Sequence, residues 1–215
     1  MPPLPADAPL VCPFAAGDLT RIFSHPVFAM SRALPMQRHA ARMVAYWLPL
    51  LLLCSSARFD EATALRTNHL RYSDDIPAIP YWDFHGLANT RRALYPRPVH
   101  PILIRLGLLE YVRSRPRNGV LFPTLVPDAY GRRAGWFVPF FHGLLREELG
   151  IAEPCKGIYS FRRNFVLACR AALPPDLAAA LCGHAMPSGP IRDVDWPLPV
   201  LQQAMVRLTF PGFPL

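Results

Sequence analysis

The chain has 215 residues, 52% apolar and only 18% charged, so it can bury one sizeable core and is not a disordered polymer. Its 23 basic and 15 acidic residues leave a net charge of +8, which favours an anionic partner, either nucleic acid or a membrane surface. The longest apolar run, Met43 to Cys54, falls short of the ~20 residues a spanning helix needs, and the N-terminus has no signal-peptide pattern.

In chain order, residues 1–17 read as a proline-rich arm. Asp18 suits the cap of a helix carrying Leu19, Ile22 and Phe23. A second helix is predicted from Met36 to about Cys54; it is apolar on nearly all sides after Met43 and therefore central and buried. Ser56-Ala57-Arg58 breaks it, and Asp60 to Leu65 reads as a short helix with acids in its first turn. Ala78 to Phe84 reads as a strand, and His85 to Arg97 as a loop or ragged hairpin, giving a small sheet between Ile76 and Val99. Helices are expected over Pro101–Arg113, Gly135–Leu149, Phe161–Ala172 and Leu177–Cys182, the last closed by Gly183. Val120–Pro123 suits a short buried strand or turn. Leu201, Met205 and Leu208 put an apolar stripe on a final helix, which either packs on its own domain or docks on a neighbouring copy. The sum is an α+β, mostly helical chain with a small antiparallel β-sheet.

Five scattered cysteines (Cys12, Cys54, Cys155, Cys169, Cys182) form no CxxC pair and read as buried thiols of a reducing compartment. The histidines share no metal-ligand spacing, so no metal or other cofactor is expected. Arg58, Arg162 and His184 each sit at a local break. Together they would make a phosphodiester pocket, because guanidinium forks match phosphate geometry. Arg91-Arg92 and Arg132-Arg133 lie in predicted loops, either as solvated charge or as phosphate contacts.

The order of these pieces resembles the catalytic domain of tyrosine recombinases, the phage-integrase family. Tyr46 to Leu65, through Arg58 and Glu61, is similar to that family's first arginine box. Pro98-Val-His-Pro101 and Leu121-Phe-Pro123 resemble two of its landmarks. Tyr159-Ser-Phe-Arg162-Arg163 resembles its His-x-x-Arg box, and Leu181-Cys-Gly183-His184 its Leu-Gly-His. The resemblance covers residues 18–215 and implies the family's fold. It also implies a role in DNA recombination or integration of a mobile element, in the bacterial cytoplasm at the nucleoid. It assigns Arg58, Arg162, His184 and Tyr159 to the catalytic positions, Glu61 to support of the first arginine, and Arg163, Arg91 and Arg92 to DNA phosphates.

The chain departs from the family at several points. Tyr159 stands where histidine is usual. Asn89 takes the place of the hairpin lysine that protonates the leaving oxygen. No tyrosine follows Tyr159, so the nucleophile that forms the phosphotyrosyl link is missing, and Ser188 lies too early to replace it. Ser56 and Ala57 replace the glycine and leucine of the first box. With only residues 1–17 ahead of the domain, where family members usually carry a helical DNA-clamping domain, DNA binding is expected to be weaker and less selective than in a complete integrase. These features point to a double-stranded-DNA-binding pseudo-recombinase, acting alone or beside a full-length recombinase. Two alternatives are an active enzyme with a non-standard or partner-donated nucleophile, and an interaction module that no longer binds DNA.

Overall fold

A computed structural model describes residues 11–28, 36–84, 87, 96–183 and 196–214. The architecture is α+β and mostly helical, with one three-stranded antiparallel sheet. Nine α-helices occur among these residues: α1 (Ala16–Ser24), α2 (Met36–Ser55), α3 (Phe59–Thr63), α4 (Pro101–Arg105), α5 (Leu108–Arg113), α6 (Phe137–Gly143), α7 (Ser160–Ala172), α8 (Pro175–Cys182) and α9 (Leu198–Val206). The strands are β1 (Leu70–Tyr72), β2 (Pro80–Trp82) and β3 (Arg97–Pro98), in that spatial order. Leu70 faces Trp82, and Tyr81 faces Pro98.

α2 is the axis of the fold. Every residue from Met43 to Ala57 is buried, as an all-round apolar helix requires. Pro49 lies within it. α2 packs chiefly on α7, with α3, α4 and α6 at its sides; α8 bridges α7 to α9, and α9 rests on β3. The stripe of α9 packs within the chain: Leu201, Met205 and Leu208 are all buried in the main core. Burial of such side chains is worth about 1.5–3 kcal/mol each. The segment beyond α9 clamps the molecule, with Phe210 against His100 and Phe165 and Phe213 against Phe23. At Gly212 (φ 86°) a Cβ would run into the Ala16 backbone, so only glycine fits this approach.

Several expectations are corrected. The sheet begins before Ile76, because Leu70–Tyr72 supplies its first strand. The strand expected over Ala78–Phe84 is only three residues long. The helix expected over Pro101–Arg113 splits at Gly107, whose left-handed φ of 88° turns the chain between α4 and α5. Gly135–Leu149 becomes α6 followed by a π-helical turn, Leu144–Glu148. Asp18 is not the N-cap of α1 but its third residue; its carboxylate accepts from the N–H of Ala15, which holds the cap position.

The cysteine reading is corrected too. Cys54, Cys169 and Cys182 are buried free thiols, but Cys12 and Cys155 are joined in a disulfide with Cα atoms 5.2 Å apart. The pair meets because the extended residues 11–15 lie along the loop before α7. There Cys12 N–H donates to Cys155 O (2.9 Å), and the Phe14 backbone exchanges two hydrogen bonds with the Asn164 side chain. Nothing in a sequence separation of 143 residues announces this contact. Residues 12–16 of the predicted arm thus belong to the folded unit, with Phe14 buried against Phe161.

Candidate functional site

α2 ends in a turn that points the next residues across the core. Ser56 adopts φ 53°, the left-handed conformation that favours glycine, and its hydroxyl donates to Leu181 O (2.8 Å), tying the turn to α8. Arg58 then caps α3, and Glu61, in the first turn of α3, reaches back to accept the Arg58 backbone N–H at 2.8 Å. The half-buried Arg58 guanidinium makes no hydrogen bond to a described residue.

Glu61 is also the counter-ion of Arg97, with Nη1 to Oε2 at 3.5 Å. Both side chains are almost wholly buried, and the Arg97 guanidinium stacks 4.4 Å over the Phe84 ring. Burial lowers the Arg97 pKa while Glu61 holds it up, and the group stays cationic. Arg162, in the first turn of α7, enters from the other side. Its Nη2 donates to Cys182 O (3.2 Å) at the C-terminal end of α8, where the helix dipole favours a cation. Its Nη1 is buried with no partner among the described residues. Burial holds its pKa down at about 10, and the nearby charges of Arg97 and Arg58 add to this while Glu61 opposes them.

Three guanidiniums therefore share one neighbourhood with a single carboxylate, which pairs directly with Arg97 alone; among the described residues this leaves an excess of positive charge and an unused buried donor. Such an arrangement suits an anion, and forked donors match phosphate oxygens. Near it, Cys169 donates to Cys182 in a thiol pair; that hydrogen bond pulls the Cys182 thiol down and pushes Cys169 up.

Tyr159 caps α7 one turn before Arg162 and is about half exposed. Its ring lies 6.4 Å from Phe59, on the rim of a groove of about 560 Å³ that also takes in Asp60, Arg132, His142 and Lys156. Burial and then Asp60 raise its pKa, so the hydroxyl stays protonated. Arg163 follows Arg162 on the exposed side of α7. Lys156 is committed elsewhere, bridging Asp18 and Glu153 at 2.6 Å each.

Of the sequence-derived residues, Arg58, Glu61 and Arg162 come together. His184, Arg91 and Arg92 lie outside the described residues, as do Asn89 and Ser188. Arg97 was missed, having been grouped with a polar loop. The signal was its setting between Pro96 and Pro98, directly before the Val99-His100-Pro101 landmark, where a solvated loop arginine is out of place. No described group of histidines, cysteines and carboxylates could hold a metal ion. No described helix is long and apolar enough to cross a membrane. No family model matches the chain, and neither a curated protein nor a solved structure matches it.

Proposed function

We propose that the chain is a duplex-DNA-binding pseudo-recombinase with the fold of a tyrosine recombinase catalytic domain, acting on a mobile element's DNA without cutting it. The observation that carries this reading is the grouping of Arg58, Arg97 and Arg162 near Glu61, with a buried Arg162 donor that has no partner among the described residues. A phosphodiester oxygen would satisfy that donor and neutralise the excess charge. Arg58, Arg162 and Tyr159 occupy motif positions that, in the family the sequence resembles, surround the scissile phosphate. Cleavage would need a tyrosine nucleophile and a lysine acid, and the sequence offers neither at the family's positions.

The test is incubation with nicked suicide duplexes followed by denaturing electrophoresis. Retention of DNA under native conditions with no SDS-resistant adduct is expected. A covalent adduct abolished by changing one tyrosine would move the protein to the enzymes. Failure to retain duplex even at low ionic strength would favour a protein-interaction role.

A further inference from the structure

The end of α5 and the turn after it carry three arginines in five residues, Arg113-Ser-Arg115-Pro-Arg117, and the fold adds a fourth. Arg66 pairs with Val120 in an antiparallel bridge, and its Nη1 donates to Asn118 O at 2.8 Å. Thr67 N–H donates to Gly119 O (3.0 Å), and the Thr67 hydroxyl to Pro116 O (3.2 Å). The turn itself is tight. Gly119 N–H donates to Pro116 O (2.8 Å), Asn118 is left-handed at φ 57°, and a Cβ on Gly119 would press on that same oxygen. The arginines are thus displayed by a braced frame.

Their charges are largely uncompensated. Arg117 is exposed with no partner among the described residues. Arg113 meets only Glu110, at 3.4 Å, with both side chains more than 60% exposed, a pairing worth little in water. Arg115 stacks 5.2 Å over Tyr111, and its Nε is buried without an acceptor.

We propose that this arginine ridge is a second phosphate-contacting surface, gripping the sugar–phosphate backbone of duplex DNA. It rests on the DNA-binding reading above. Four guanidiniums beside one carboxylate, held on a rigid turn, fit a regular polyanion rather than a particular sequence.

The test is the salt dependence of binding to a mixed-sequence duplex by the full chain and by an Arg113→Gln/Arg117→Gln double variant. Neither side chain holds the core, so an unchanged thermal melt is expected. Each lost phosphate contact lowers the slope of log K against log[salt] by about 0.9, so the double variant should lose about 1.8 and bind roughly 60-fold more weakly at 0.1 M salt. Arg207→Gln, an exposed change at the end of α9, should leave the slope nearly unchanged. A double variant with the parent slope would overturn the ridge while leaving the Arg58–Arg162 site standing. The ridge would equally fall if the variant lost affinity for phosphatidylserine vesicles and kept it for duplex. Absence of duplex binding by the parent chain would sink both.

Discussion

Replacing Glu61 with alanine tests the site's internal electrostatics. Glu61 is buried, offsets the buried Arg97 at 3.5 Å and accepts the Arg58 backbone N–H. Its loss strands a guanidinium that burial already disfavours, and removing one partner of a buried ion pair costs about 3–5 kcal/mol. The lost cap on α3 adds about 1 kcal/mol. Against a total stability of about 5–15 kcal/mol this is a large fraction. With a urea dependence of about 2 kcal/mol/M, the unfolding midpoint should fall by roughly 2 M. Tryptophan fluorescence reports the transition, since Trp47 and Trp82 are fully buried. The double variant Glu61→Leu/Arg97→Met should recover most of the loss, because both desolvation costs vanish together. A single-variant cost below about 1 kcal/mol, or a double variant as unstable as the summed singles, would refute the reasoning.

Two further outcomes are expected. Burial, aided by Arg105 and opposed by the Leu208 backbone, lowers the His100 pKa from 6.5 to about 4. The unfolded chain therefore binds the extra proton in that interval, and the stabilisation present above pH 6.5 is lost as pH falls to 4, by about 3 kcal/mol. His100→Asn keeps an acceptor for the Ile102 N–H (3.1 Å in the parent) and should remove this share of the acid sensitivity in a urea-midpoint-versus-pH series. Identical pH profiles for the two proteins would count against a buried neutral imidazole. Reduction by a dithiol, or Cys12→Ser, should lower stability by about 2–5 kcal/mol, given the long loop that the disulfide closes. Equal denaturation midpoints with and without reductant would contradict that stapling role.

Much of the frame was readable because local physics governed it. α2 announced itself as an all-round apolar run, and its observed span, Met36–Ser55, departs from the expected end by a single residue. Gly183 ends α8 in the left-handed conformation its chemistry invites. Ser56 holds a left-handed turn that favours glycine, its strain offset by the hydroxyl bond to Leu181. What escaped was long-range. The Cys12–Cys155 bond and the Arg97–Glu61 pair, 36 residues apart, depend on how strands and loops return to the core, which no local period encodes. Gly107 and the π-helical turn broke two helices that read as continuous, because apolar spacing survives a change of axis.

The most direct test of the central claim is duplex affinity measured against salt for the parent chain and for Arg58→Gln. Arg58 is the apt choice because its half-buried guanidinium makes no hydrogen bond to a described residue, so its loss should not unfold the domain. If the converging arginines hold a DNA phosphate, the parent should bind with a steep negative slope, and the variant's slope should be shallower by about 0.9, with affinity about eightfold lower at 0.1 M salt. Equal slopes and equal affinities for the two proteins would contradict the account.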